Sequence, residues 1–116
     1  MPLLKIMTNL EIPPERRQPL LETASARVAE MLGKPESYVM VALEPGRPMR
    51  FAGSDAPLAY LELKSIGLPR EGTRDLSAKL CGLISGELGI PANRIYIEFS
   101  NAERDMWGWN GATFAR

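Results

Sequence analysis

The octapeptide Leu32-Gly33-Lys34-Pro35-Glu36-Ser37-Tyr38-Val39 decides the fold, because a related segment, Leu88-Gly89-Ile90-Pro91-Ala92-Asn93-Arg94-Ile95, follows it at an offset of 56 residues. In each copy a glycine ends a helical pattern and a proline comes two residues later, which is a common way for a helix to end. The same offset lays residues 3–8 over residues 59–64. The chain is therefore predicted to contain two β-α-β units in tandem.

The hydrophobic pattern fills these units with four strands and two helices. Strands are predicted at residues 3–8, 38–43, 58–66 and 94–99. Helices are predicted at about 18–32 and along the apolar positions from Leu76 to Leu88, before Gly89. The apolar run at 38–43 is typical of a strand covered on both faces. Residues 45–57, rich in Pro, Gly and Ser, form a connection of a length that is usually functional or packed against a partner.

These elements predict one domain over residues 1–116 in the α/β (α+β) class, with two tandem β-α-β repeats. The strands of each unit should be parallel, because a crossover helix joins them. The result is a four-stranded mixed sheet with two helices on one face. The other face would be left bare, so a symmetric oligomer is the natural candidate to cover it.

Composition excludes several classes of function. The 14 basic and 14 acidic residues cancel, which disfavours a nucleic-acid-binding module of ferredoxin-like fold. The single cysteine excludes an internal disulfide, and the lack of histidine removes the commonest general base and metal ligand. We expect no metal, no cofactor and no membrane span. No signal-peptide pattern is present, which predicts a cytoplasmic protein, although export without a signal peptide would leave no mark.

Proton chemistry would then depend on a carboxylate, a tyrosine, a lysine or the N-terminal amine. Pro2 stands at the head of an apolar strand, a position that tolerates proline for structural reasons alone. Removal of Met1 would make Pro2 a secondary amine on a rigid ring, able to serve as a general base. A retained Met1 would instead make the Pro2 nitrogen a non-basic amide.

Seven short motifs occur in order along nearly the whole chain, and together they resemble the macrophage migration inhibitory factor family of the tautomerase superfamily. The resemblance implies a homotrimer whose sheets enclose a central barrel, with the helices outside. It also implies cofactor-independent keto–enol tautomerisation of phenylpyruvate-like aromatic 2-keto acids, with Pro2 as base and acid after Met1 is removed. The motifs are Met1-Pro2, Leu32-Gly33-Lys34-Pro35 with Tyr38, Met49-Arg50-Phe51-Ala52-Gly53-Ser54, Ser65-Ile66-Gly67, Lys79-Leu80-Cys81-Gly82-Leu83, Arg94-Ile95-Tyr96-Ile97 and Gly108-Trp109-Asn110-Gly111-Ala112-Thr113-Phe114-Ala115.

The same resemblance implies roles for the remaining site residues. Lys34 would bind the substrate carboxylate, assisted by the backbone amide of Ile66 beside Ser65. An aromatic rim would surround the mouth of the pocket, and two residues of the fourth strand would line it from a neighbouring subunit. The rim consists of Tyr38, Trp109 and Phe114, and the two strand residues are Tyr96 and Glu98.

Three positions depart from the mammalian pattern of that family. Glu98 replaces an asparagine, Trp107 replaces a smaller apolar residue and could narrow the entrance, and Leu58-Ala59-Tyr60-Leu61 stands where a CxxC motif would be. Thiol oxidoreductase activity is therefore not expected.

Structural interpretations without a binding role stay open. Lys34 could serve only to neutralise the negative end of a helix dipole, and the tail aromatics could belong to the core or to a subunit interface. The alternative function is a cytokine-like or host-modulating binding protein with a vestigial pocket and a protein receptor as partner.

Overall fold

The computed structural model describes residues 1–115, and it has the predicted order of strands and helices. A short hairpin at the C-terminal end is additional to the predicted elements. The elements are β1 (Leu3–Thr8), α1 (Pro14–Leu32), β2 (Met40–Glu44), β3 (Ala59–Ile66), α2 (Thr73–Leu88), β4 (Ile95–Ala102), β5 (Gly108–Trp109) and β6 (Ala112–Thr113).

The main sheet is mixed, as predicted. Its strand order is β2-β1-β3-β4. The pairs β1–β2 and β3–β4 are parallel, and the central pair β1–β3 is antiparallel. Each parallel pair spans one crossover helix, so the two β-α-β units meet at the middle of the sheet.

Both helices end where the repeat predicts. Gly33 and Gly89 follow the last helical residues with φ values of 61° and 70°, a left-handed conformation that glycine adopts without steric cost. The first helix begins earlier than predicted, at Pro14, and contains Pro19. A proline at the first helical position loses no hydrogen bond, because that amide would have no partner inside the helix.

The core lies between the helices and one face of the sheet. Residues of β1 and β3 alternate between buried and half-buried, which is the period-two pattern of a strand with one face in the core. Helix residues such as Val28, Leu80 and Ile84 meet the strand residues there. The fully buried apolar side chains of this core are Leu4, Ile6, Ala24, Val28, Leu61, Leu63, Leu80, Ile84 and Ile90.

The opposite face of the sheet, hereafter the open face, carries no helix. The strand register arranges its side chains in three rows, and every one of them is half-buried or exposed. Met40, on the edge strand β2, is 65% exposed, so β2 is covered on one face only within a single chain. The rows are Met40–Leu3–Lys64–Ser100, Ala42–Lys5–Glu62–Glu98 and Glu44–Met7–Tyr60–Tyr96.

Arg94 holds the 45–57 connection against the sheet. Its guanidinium donates to four backbone carbonyl oxygens: those of Phe51 at 2.7 Å, Ala56 at 2.8 Å, Ser54 at 3.2 Å and Pro57 at 3.3 Å. No other side chain in residues 1–115 bonds so many carbonyls of this connection. We call this arrangement the Arg94 clasp.

The clasped segment is a tight turn that carries an aromatic contact. Phe51 and Ser54 exchange backbone hydrogen bonds of 2.9 and 3.0 Å around Ala52 and Gly53, whose φ values are 53° and 73°. The Phe51 ring lies 4.5 Å from the ring of Tyr96, centroid to centroid. The connection therefore reaches a side chain of the open face.

Candidate active site

Pro2 lies at the head of β1 and is buried. Its carbonyl oxygen accepts a hydrogen bond of 2.9 Å from the Met40 amide, which ties it to β2. Its nitrogen has no hydrogen to donate, so burial leaves no unsatisfied donor there. The amine of Met1 donates to the Tyr38 carbonyl oxygen at 3.0 Å. Residues 1–2 are thus held between the first two strands.

A cavity of about 450 Å³ surrounds this end of the chain. Its walls include Met1, Pro2 and Met40 from the sheet and Tyr38 from the turn before β2. The C-terminal segment closes the other side with Trp107, Trp109 and Phe114. We call this space the Pro2 cavity.

The aromatic part of the wall is a packed cluster. Tyr38 meets Trp109 and Phe114 edge-on, with ring centroids 5.4 and 5.8 Å apart, and Trp109 stacks on Phe114 at 5.8 Å. Such geometries are favourable for aromatic rings. Trp109 is 54% exposed, so the cluster forms a rim between the cavity and solvent.

The hairpin β5–β6 positions this rim. Its turn consists of Asn110 and Gly111, with φ values of 54° and 76°. Asn-Gly is a strongly favoured pair for a two-residue hairpin turn that needs positive φ at both positions. The Asn-Gly pair is therefore the feature of the sequence that predicts this hairpin, which was not among the predicted elements.

Lys34 follows the C-terminus of α1 and turns toward the end of β3. Its Nζ donates to the Ile66 carbonyl oxygen at 3.3 Å, and the buried Ser65 hydroxyl donates to the same oxygen at 3.4 Å. The structure therefore brings the three predicted residues together. Lys34 contacts the carbonyl oxygen of Ile66, and the part of the Ile66 amide in binding a substrate carboxylate stays a prediction. None of these three residues is among those that line the Pro2 cavity.

The electrostatics link this cluster to the N-terminus. Burial lowers the pKa of the Met1 amine from its ordinary value of 8.0, and the positive charge of Lys34 lowers that pKa further. Both effects disfavour the protonated form of an amine. A neutral amine and a lysine cation are therefore compatible at this end of the sheet.

Tyr96 and Glu98 do not reach the Pro2 cavity within one chain. They lie on the open face of β4, and Tyr96 is 64% exposed. Leu3 lines the cavity, whereas Tyr96 lies in the row of Met7. Met7 is four residues further along β1 than Leu3, a distance of roughly 13 Å. Their predicted place in the pocket therefore requires another copy of the chain.

Neither a metal centre nor a membrane helix is found in residues 1–115. No group of three or more Cys, Asp or Glu side chains there is arranged to hold a metal ion. No helix in that range combines the length and apolar character that a bilayer span demands.

Comparison with known proteins assigns the family. The pattern that defines the family "Macrophage migration inhibitory factor (MIF)" matches residues 1–115. The chain belongs to the macrophage migration inhibitory factor family. It is 41% identical to the homologue of Trichinella spiralis over 98% of this chain and 100% of that protein, and 36% identical to the mouse protein over 99% and 100%.

Solved structures agree with this assignment. The structure of a homologue from Prochlorococcus marinus matches with a TM-score of 0.90 and 45% identity, covering 97% of this chain and 99% of that chain. The Trichinella spiralis structure matches with a TM-score of 0.88. Membership of the macrophage migration inhibitory factor family supports an isomerase activity of the tautomerase type, or a cytokine-like function, in general terms.

Proposed function

We propose that this chain is a cofactor-independent keto–enol tautomerase of phenylpyruvate-like 2-keto acids, with the Pro2 amine as general base and acid after Met1 is removed. The observation that carries the proposal is the buried Pro2 at the end of an aromatic cavity, in a region where burial and Lys34 lower the pKa of an amine. A base with a depressed pKa can be neutral near pH 7, as general-base catalysis requires.

The proton transfer is balanced without a cofactor. The neutral Pro2 nitrogen removes a proton from C3 of the acid, next to the keto group. The C–H electron pair forms the C2–C3 double bond, and the carbonyl electrons move to the keto oxygen, which takes up a proton from solvent. The Pro2 ammonium then releases its proton to solvent, which restores the amine. In the reverse direction the Pro2 ammonium delivers its proton to C3, the enol hydroxyl loses its proton to solvent, and Pro2 takes up a solvent proton before the next cycle.

In this proposal the Lys34 cation binds the substrate carboxylate, and the aromatic rim binds the substrate ring. Among residues 1–115, the hydrogen-bond partner of the Lys34 ammonium is a neutral carbonyl, that of Ile66. A substrate carboxylate would offer it a charge-assisted hydrogen bond, which is roughly twice as strong as a neutral one. The substrate phenyl ring would pack against Tyr38, Trp109 and Phe114. The cavity of about 450 Å³ is within the usual size range of small-molecule sites.

The open face supports self-association, and we propose a trimer in which this face is covered. Met40 and Tyr96 are large apolar side chains exposed there, and they would gain burial from contact with another copy. The trimer would also bring Tyr96 and Glu98 of one copy to the Pro2 cavity of the next. Glu98 would add a carboxylate near the amine, which opposes the effect of Lys34 on its pKa.

The test compares the wild-type protein with Pro2→Gly, after intact-mass analysis has established whether Met1 is absent from both. We expect Pro2→Gly to lower kcat/KM for phenylpyruvate ketonisation by roughly a hundredfold or more, the usual contribution of a general base. Arg16→Ala is the matched control. Arg16 bonds the Glu87 carbonyl oxygen in the helical layer, so the activity of this variant should match the wild type.

Two outcomes would overturn the proposal. Equal activity of the processed wild-type and Pro2→Gly proteins would exclude Pro2 as the base. Negligible turnover by processed wild type, with binding to a receptor that survives Pro2→Gly, would favour the cytokine-like alternative. A cytoplasmic location, or export without a signal peptide, stays a prediction that fractionation of the producing cells would decide.

A further inference from the structure

The 45–57 connection carries one aromatic side chain, Phe51, which has no part in the proposed function so far. Among residues 50–57 only Phe51 and Ser54 are half-buried, and the others are exposed. The Phe51 ring lies 4.5 Å from the ring of Tyr96, centroid to centroid, with an angle of 47° between the ring planes. The turn therefore places its aromatic ring against the open-face residue that is proposed to line the Pro2 cavity of a neighbouring copy.

Three hydrogen bonds hold the Phe51 backbone. Its amide donates to the Ser54 carbonyl oxygen at 2.9 Å, and its own carbonyl oxygen accepts from the Ser54 amide at 3.0 Å. The same Phe51 oxygen accepts the shortest bond of the Arg94 clasp, at 2.7 Å. Rotation of the Phe51 backbone would break these bonds, so the side chain leaves the turn in a fixed direction.

Arg94 also contacts the Phe51 ring directly. Its guanidinium carbon lies 5.2 Å from the centre of that ring, which is within the range of a cation–π interaction. Arg94 directly precedes β4, and Tyr96 is the second residue of that strand. Phe51 therefore packs against both residues, and Arg94 restrains it at the backbone and at the ring.

Tyr96 has few contacts of its own to orient it within one chain. It is 64% exposed, and Phe51 is the only aromatic ring packed against it in residues 1–115. Exposed side chains change rotamer within picoseconds to nanoseconds. Contact with a fixed ring restricts this motion, and the aromatic pair is favourable in itself. A ring that is ordered before the ligand arrives loses less conformational freedom on binding, which strengthens binding.

We propose that Phe51, held by the Arg94 clasp, is a positioning residue that orients the Tyr96 ring for contact with a ligand ring in the Pro2 cavity of the neighbouring copy. The inference rests on the proposed function and on the proposed trimer for the place of Tyr96. It goes further by giving the 45–57 connection a role in ligand affinity, although none of its residues lines the cavity of its own chain.

A double-mutant cycle tests whether Phe51 acts through Tyr96. Isothermal titration with cinnamate, an unreactive aromatic acid, gives the dissociation constants of the wild type without Met1, Phe51→Leu, Tyr96→Ala and the double variant. We expect Phe51→Leu to weaken cinnamate binding by roughly twofold to tenfold, the usual effect of ordering one side chain on binding. In the Tyr96→Ala background the same change should have less than about a twofold effect, because the ring that Phe51 orients is gone.

Two control variants separate positioning from general damage to the turn. Phe51→Tyr keeps the ring and should bind cinnamate like the wild type. Arg50→Ala changes the neighbouring residue, which bonds the Gly53 carbonyl oxygen at 2.8 Å, and should also leave binding unchanged. In phenylpyruvate turnover, Phe51→Leu should raise KM and leave kcat within about twofold of the wild type. Loss of folded protein would instead lower kcat at constant KM.

Three results would overturn the proposal. The first is an equal dissociation constant in Phe51→Leu and the wild type, and the second is a loss of equal size with and without Tyr96. The third is weak binding by Phe51→Leu that sedimentation traces to loss of self-association, because Phe51 would then act at the subunit interface. Should thermal unfolding show that Phe51→Leu is not folded, Phe51→Met makes the same test with a side chain closer in length to Phe.

Turnover separates this inference from the proposed function. Phenylpyruvate turnover that depends on Pro2, without coupling between Phe51 and Tyr96, refutes the positioning role alone. Coupling in cinnamate binding without turnover refutes the tautomerase and leaves the positioning role standing.

Discussion

Replacement of Arg94 by alanine should destabilise the 45–57 connection more than any other single change of a charged side chain around it. The substitution removes all four hydrogen bonds of the Arg94 clasp and the guanidinium that lies 5.2 Å from the centre of the Phe51 ring. The Phe51 and Ser54 carbonyl oxygens would keep the backbone hydrogen bonds that they exchange, and the Ala56 oxygen would keep the one from Asn9 at 3.5 Å. Water would have to replace the bonds that Arg94 made.

The structure sets the size of the effect. Two of the bonds, to Phe51 and Ser54, are partly buried, and the two to Ala56 and Pro57 are exposed. A hydrogen bond to a charged group contributes about 1.5–3 kcal/mol, and solvent screening should reduce each of the two partly buried bonds to about 1–1.5 kcal/mol. The exposed pair should contribute little. We therefore expect a loss of about 2–3 kcal/mol, out of the roughly 5–15 kcal/mol typical of a domain, and a fall in Tm of roughly 10 °C.

Urea unfolding at one fixed protein concentration measures this loss, because self-association would make stability depend on concentration. Hydrogen exchange of the Phe51 and Ser54 amides reports whether the turn opens locally. Arg94→Lys should recover only part of the loss, since an ammonium cannot reach several carbonyls in a plane. Arg50→Ala is the control: Arg50 makes one exposed bond, to Gly53 at 2.8 Å, and should change stability by less than about 0.5 kcal/mol.

An Arg94→Ala protein as stable as Arg50→Ala, with turn amides that exchange at the wild-type rate, would show that the Arg94 clasp does not hold the connection. Water would then replace the bonds of Arg94 at no cost, and other contacts would hold the turn.

Two further predictions concern the backbone and the N-terminus. Ala52→Gly should stabilise the protein by about 0.5 kcal/mol in thermal unfolding. Relief of the positive φ gains about 1–2 kcal/mol, which exceeds the cost of the added chain entropy of the unfolded state, about 0.4–1 kcal/mol. Gly53→Ala should destabilise the protein, and a stabilised Gly53→Ala variant would contradict this prediction. In protein that retains Met1, the folded state binds fewer protons than the unfolded state between the lowered pKa of the amine and its ordinary 8.0. Urea stability should therefore rise with pH through that window, and less steeply in Lys34→Met; an equal slope in the two proteins would exclude the effect of Lys34.

The sequence predicted most of the fold because its repeat and its periodicities agree. The offset of 56 residues implied two parallel pairs, and both are found. The alternation of Ile95 and Ile97 with Tyr96 and Glu98 separated the two faces of β4 correctly: both isoleucines face the helices, and Tyr96 and Glu98 are exposed on the open face.

Element boundaries were less predictable because local structure overrode the hydrophobic pattern. The second strand was predicted from Tyr38, but residues Glu36–Tyr38 form a turn of 3₁₀ helix and β2 begins at Met40. The first helix was predicted from about residue 18, because Pro19 was placed near the helix entrance, where a missing amide costs little. Pro14 instead takes the first helical position, where its fixed φ suits a helix.

The sequence predicted which residues belong to the candidate site, but it did not predict their positions relative to one another. The resemblance placed Pro2, Lys34 and the tail aromatics in one site. The fold brings Pro2 and the aromatics to one cavity. Lys34 is not among the residues that line it, although its charge lowers the pKa of the nearby Met1 amine. The predicted roles of Tyr96 and Glu98 would need a second copy of the chain, whose position the pattern of one chain does not describe.

The hydrogen bonding of Pro2 has a consequence for maturation. Its carbonyl oxygen carries the pairing with Met40, and its nitrogen carries none. Cleavage after Met1 would therefore remove one hydrogen bond, from the Met1 amine to Tyr38, at a cost of about 1 kcal/mol, and leave every strand pair as it was. The Pro2 atom that pairs with the sheet and the Pro2 atom proposed as the base are different, so cleavage after folding would leave the strand pairing intact.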